Sequence, residues 1–200
     1  MNRLSLCLAV LVILAGCGTT KRYGMDSPYY SYPYGVRLIL NQPLDIPPDS
    51  ATIRLQYGQV VPRNGVQEQD PHCIFELSTV APTPQRVEPD EFSVTRVRRS
   101  TSTIARGESA PTGLVRVGLS SGSSGPTNYY YKTEFFLHSD SQPNVLLMTC
   151  QSNQNYTPLK RHLTVAEIRQ ALGSIFTLIL PSDADSSSRP DARATLKSGT

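Results

Sequence analysis

Three kinds of side chain in this 200-residue sequence could do chemistry. "GLSSG", Gly118 to Gly122, has the form G-x-S-x-G, and Asp140 and His162 follow Ser120 in the order an α/β-hydrolase uses. That motif works only where a strand turns sharply into a helix and holds the serine in a strained elbow. Here "SSGPTNYYY" follows, which reads as a hairpin loop. In "RVEPDEF", Glu88, Asp90 and Glu91 could set carboxylates side by side for acid/base work or calcium. Pro89 and Asp90 are turn formers, however, and a strand is expected from Phe92. The third kind is the set of possible metal ligands: His72, His138 and His162 with the cysteines. Neither C-x-x-C nor H-x-x-x-H spacing occurs, and there is no Gly-rich phosphate loop, so no metal, no cofactor and no catalytic residue is assigned.

The cysteines carry more information. Met1 to Gly16 has a basic start at Arg3, an apolar stretch from Leu4 to Ala15 broken only by Ser5, and small residues at its end, which is a secretory signal pattern. The stretch is far shorter than the roughly 20 apolar residues that span a bilayer. "LAGC", Leu14 to Cys17, resembles the lipobox of bacterial lipoproteins, which implies cleavage before Cys17 and acylation of its thiol. Two or more acyl chains hold a protein on a membrane without any spanning helix. In that family an aspartate after the cysteine signals retention at the inner membrane. Gly18 stands there, so the expected address is the outer membrane, facing the periplasm. Cys7 leaves with the signal and Cys17 takes the lipid; Cys73 and Cys150 remain, and in an oxidising compartment they are expected to pair.

Composition excludes a nucleic-acid role. Of 19 basic side chains the signal removes only Arg3, leaving 18 against 16 acidic ones, without the clustered cations that phosphate backbones require. The nearest approach is "RVRRS", Arg96 to Ser100, which reads as a strand edge protected by charge.

These residues must be positioned by strands. "VRLIL", "ATIRLQYGQVV", "HCIFELS", "EFSVTRVRR", "LVRVGL", "YYYKTEFFLHS", "NVLLMTCQ" and "SIFTLIL" are separated by clusters of Pro, Gly, Asn and Asp. Several alternate with period two, as Ile53, Leu55 and Tyr57 do against Thr52, Arg54 and Gln56, so one face is buried. One helix is expected in "LTVAEIRQALG": Thr164 and Glu167 form a capping box, Leu163 and Ile168 take the staple positions, and Gly173 suits a left-handed cap. Ile168, Ala171 and Leu172 would face the sheet. The expected architecture is mainly β, an antiparallel β-sandwich or barrel-like domain with one short C-terminal helix and one disulfide. Residues 1–16 form the signal, 17–35 a lipidated, Tyr-rich flexible tether, 36–180 the domain, and 181–200 a disordered tail.

Over residues 36–178, "NQPLDIPPDSATIRLQYGQVV", "PHCIFEL", "QRVEPDEFSVTRV", "SQPNVLLMTCQ" and "HLTVAEIRQALG" resemble a group of proteobacterial outer-membrane lipoproteins without an assigned function. The resemblance supplies no catalytic residues. The expected function is therefore a non-enzymatic binding or assembly accessory of the envelope, held to the membrane by its N-terminal lipid and meeting an envelope protein partner. The alternative is a hydrolase of an envelope polymer or ester using Ser120 or the carboxylates near Glu88.

Overall fold

The computed structural model describes residues 23–105, 127–154, 160–181 and 183. Its strands are β1 (Arg37–Leu40), β2 (Leu44–Ile46), β3 (Ser50–Gln56), β4 (Gln59–Val61), β5 (His72–Ala81), β6 (Gln85–Val87), β7 (Asp90–Ala105), β8 (Thr127–His138), β9 (Val145–Asn153) and β10 (Phe176–Ile179); the helix α1 is Val165–Leu172. Eight strands form one antiparallel sheet in the order β10-β1-β7-β8-β9-β5-β3-β4, curled into a half-barrel, and β2 and β6 pair separately. The fold is mainly β with one disulfide, Cys73–Cys150.

Period-two alternation decides what lies inside the curl. Cys73, Phe75 and Leu77 on β5 face the core with Ile53 and Leu55 on β3, Met148 and Cys150 on β9, and Phe135 on β8, all buried. The ring of Phe75 lies 5.2 Å from that of Phe176 on β10 and 6.2 Å from that of Phe92 on β7, so aromatic contacts cross the concave side. Cys73 and Cys150 stand directly opposite each other on adjacent strands, with Cα atoms 4.1 Å apart.

Helix α1 contacts β3, β5 and β10 and so covers the open side of the curl. Thr164 accepts from the Glu167 N–H, and the Glu167 carboxylate accepts from the Thr164 N–H, forming the expected capping box. Val165, Ile168, Ala171 and Leu172 are buried, and so is Leu163. Glu167 also takes two hydrogen bonds from the Arg161 guanidinium, each 2.7 Å. That cation first, then the Thr164 donors, outweigh partial burial and hold the carboxyl down to about 2. A depressed carboxylate pKa stabilises the fold above the unfolded value, near 4.5, and that contribution is lost as pH falls towards 2. Urea midpoints measured across this window should therefore drop on acidification, and Glu167→Gln should flatten the drop.

Gly173 does not adopt the left-handed cap. Its φ is 57° but its ψ is −133°, a conformation essentially restricted to glycine. The cause is a neighbour. The β3–β4 turn, Tyr57 and Gly58 with φ of 53° and 75°, is a two-residue hairpin with both central residues at positive φ. Its tip lies on the end of α1, where the Gly58 N–H donates to the Ala171 carbonyl at 3.1 Å. A Cβ on Gly173 would lie 2.2 Å from the Gly58 Cα, and one on Gly58 would lie 2.9 Å from the Gly173 Cα.

Several other expectations change. "ATIRLQYGQVV" is two strands rather than one, so Tyr57 sits exposed at the turn instead of following Ile53 and Leu55 into the core. Residues 23–35, expected as part of a flexible tether, lie on the domain. Tyr30 and Tyr32 pack against the core, the rings of Tyr32 and Phe135 meet edge-on at 5.1 Å, and the Met25 carbonyl accepts from the Val165 N–H at 3.3 Å. Burial pushes the Tyr32 phenol up to about 12 against the opposing charge of Arg99. Asp183, assigned to the tail, accepts from the Leu180 N–H and from Arg169. Cys17, the signal, "LVRVGL" and "GLSSG" with Ser120 lie outside the described residues.

Candidate functional site

Of the residues first singled out for chemistry, Asp140 and His162 are not brought together. Asp140 meets His138, at 3.2 Å, whereas His162 packs edge-on against the Tyr131 ring. The three acidic residues of "RVEPDEF" each have separate work: Glu88 pairs with Arg86, Glu91 with Arg37, and Asp90 accepts from Ser139, Ser141 and Gln142. Burial raises the Asp90 pKa, but these three donors and the Glu91 N–H overcome it and hold the carboxyl down to about 2. It is an anchor for the β8–β9 loop, and β7 begins there, two residues before the expected Phe92. Among the described residues no group of three or more His, Cys, Asp or Glu is placed to hold a metal ion.

The arginines divide instead. Arg37, Arg86, Arg98, Arg161 and Arg169 form ion pairs with carboxylates. Arg96 and Arg99 lie over the rings of Phe136 and Tyr32, at 3.9 and 5.5 Å. The three arginines of "RVRRS" are thus engaged within the domain, Arg98 by Glu134 and Arg96 and Arg99 by rings. The segment does occupy an edge, because β1 pairs with β7 only from Asp90 to Ser93. Of the arginines among the described residues, Arg54 and Arg63 alone have neither a carboxylate at ion-pair distance nor a ring beneath them.

Their position follows from the sheet. Arg54 lies on β3 between Ile53 and Leu55, which alternation sends into the core, so its side chain is on the convex face. Arg63 follows Pro62, just beyond β4, and its charge sits close enough to lower the Arg54 pKa further after burial has begun to do so. Both line two adjoining clefts. One, of about 210 Å³, is polar and includes Glu68, His72, Tyr130, Lys132 and Gln151. The other, of about 550 Å³, is a groove whose lining also includes Asp45, Pro47, Ile53, Val60, Val61 and Pro62.

Side-chain hydrogen bonds brace the polar cleft. The loop before β5 is held over the convex face by Gln56, whose side-chain amide donates to the Gln67 carbonyl at 2.8 Å and accepts from the Gln67 N–H at 2.9 Å. Tyr130 donates to Glu68 at 2.6 Å. The Asp70 carbonyl can only accept, so His72 Nδ1, 3.1 Å away, carries the proton; Nε2 then accepts from the Gln151 amide. Burial, helped by the charge of Arg54, lowers the His72 pKa, so at neutral pH the ring adds no charge. Glu68 keeps its negative charge while accepting from Tyr130, so Arg54, Arg63 and Lys132 leave the walls with a net positive charge.

The groove lies where β3 has an open edge. Strand β4 pairs with β3 only from Arg54 to Gln56, and no other described strand pairs with that edge at Ser50 to Ile53. The Ser50 hydroxyl bonds both the N–H and the C=O of Thr52, at 3.1 and 2.9 Å, capping the edge. A ligand would therefore enter by its side chains before its backbone. The cation pair was not legible in the sequence, because a missing partner is a property of the folded molecule; the alternation of "TIRLQ" indicates only that Arg54 faces outward. No family model, curated protein or solved structure matches this chain.

Proposed function

We propose that this protein is an acyl-anchored lipoprotein of the outer membrane, facing the periplasm, that acts as a non-enzymatic binding accessory. Its β3–β4 groove would take a segment of an envelope protein carrying acidic side chains beside apolar ones. The observation that carries the binding reading is the pair Arg54 and Arg63, without acid or ring partners, on the rim of a groove walled by Ile53, Val60 and Val61. Two neighbouring guanidinium groups recognise carboxylates and cost little to desolvate when a carboxylate replaces water. Val60, about half exposed, and Val61 offer the apolar counterpart. The anchor rests on "LAGC" and the apolar run before it.

Two measurements test the parts separately. A synthetic peptide alternating glutamate and valine should bind the domain with an affinity that falls steeply with salt, and a lysine–valine peptide should not bind. Arg54→Ala with Arg63→Ala should weaken the acidic peptide at least tenfold, whereas Arg37→Ala, in an exposed ion pair elsewhere, should not. Equal binding of both peptides would sink the reading. For the anchor, fatty-acid labelling in cells should be abolished by Cys17→Ser; label that persists refutes lipidation at this residue.

A further inference from the structure

We propose that the surface formed by Tyr23, Met25 and Tyr29 is a membrane-contact face, seated in the headgroup layer beside the N-terminal anchor. This rests on the lipoprotein reading above.

The first argument is reach. The Met25 carbonyl is bonded to the start of α1, so the domain is fixed to its own N-terminal segment eight residues after Cys17. Eight residues span at most roughly 28 Å when fully extended, at about 3.3–3.6 Å each. A thiol held at the bilayer surface therefore keeps this part of the domain within about one bilayer thickness of it. Had residues 23–35 been free chain, the domain could have stood well away.

The second argument is what the segment exposes. Tyr30 and Tyr32 turn inward and are partly buried on the core, while Tyr23, Met25 and Tyr29 are 48%, 38% and 63% exposed. The rings of Tyr23 and Tyr29 meet at 5.5 Å, so the two exposed tyrosines form one patch rather than scattered points, with Met25 between them in sequence. Tyrosine has an apolar ring and a hydrogen-bonding tip, the combination that favours the interface between water and hydrocarbon. Lys21 and Arg22 fall between the anchor and the patch and add two positive charges where anionic headgroups would be met. A protein partner at this face would have to approach through the gap between domain and bilayer that the short chain leaves.

The test uses the mature chain, Cys17 to Thr200, with Cys73 and Cys150 oxidised and the Cys17 thiol coupled to a maleimide lipid in vesicles of zwitterionic and anionic phospholipid. Coupling makes the anchor independent of acylation in the cell, so failure of this proposal and failure of lipidation are read in different experiments. The chain has ten tyrosines and no tryptophan, so its emission reports tyrosine alone. Phospholipids brominated at the upper acyl carbons should quench part of that emission relative to unbrominated vesicles. Tyr23→Ser with Tyr29→Ser should remove most of the quenching, while Tyr57→Ser, at an exposed turn elsewhere, should keep it. Unquenched emission from the coupled chain, or quenching that survives the double substitution, would overturn the proposal. A face reserved for a protein partner gives the first of these results.

Discussion

Replacing Cys73 and Cys150 together by alanine is expected to lower the stability of the domain by about 4 kcal/mol. The bond joins residues 77 apart in sequence, and on the chain-entropy account a closed loop of that length removes much of the freedom of the unfolded chain. Both side chains are fully buried in the core row formed with Leu55 and Thr133, so alanine leaves little room for compensating repacking. For a domain of this size the loss corresponds to a melting temperature lower by about 10 °C. Melting the oxidised protein with and without reductant, beside the double variant, checks it. A reduced protein that melts with the oxidised one would show that the strand pairing alone determines stability.

Ile168→Ala is expected to cost about 2–5 kcal/mol, the range for removing buried branched volume from a close-packed core. Ile168 is fully buried on the helix that closes the curled sheet, where it shares the core with Phe75 and Phe176. A helix of eight residues is too short to persist by itself, so loosening its packed face weakens the lid as a whole. Thr164→Ala, which removes only the cap, should cost about 1 kcal/mol. Thermal unfolding separates the two magnitudes. A shift of zero for Ile168→Ala would mean that the apolar face of α1 contributes nothing to the closed domain.

The parts of this fold that could be read from the chain share one property: a local pattern. Alternation of Ile53 and Leu55 with Thr52 and Arg54 marks β3, apolar runs bounded by turn formers mark β1, β5, β8, β9 and β10, and the spacing of Thr164 and Glu167 marks the start of α1. The parts that could not be read depend on a distant partner. Strands β2 and β6 have three residues each and sit among prolines and turn formers, so neither has enough length to show a period; their pairing of Leu44 with Val87 and Ile46 with Gln85 defines them. Tyr30 and Tyr32 follow no periodicity, and only the Phe135 side of the sheet gives them a place to go. Three glutamines stand in for strand neighbours. Gln56 pairs in both directions with the backbone of Gln67, Gln142 with that of Glu88, and Gln154 with that of Arg161. A side-chain amide has the same donor and acceptor as a peptide unit, yet nothing in its neighbours' identities indicates that use. Of the candidate groove, the outward direction of Arg54 was legible; the solitude of the cation pair was not.

The contact between Gly58 and Gly173 sets a ruler for the helix. Inserting or deleting one residue in α1 turns its end by about 100° and moves it about 1.5 Å along the axis. A residue bearing a Cβ would then face the hairpin tip where only bare backbone fits, and the Ala171 carbonyl would be carried away from the Gly58 N–H. Composition can drift along the exposed side of the helix, at Ala166 or Gln170, without disturbing the tip. Length cannot. Across any set of related chains, variation in residue number is expected to accumulate in the loops before Leu163 and to stop there, with both glycines kept.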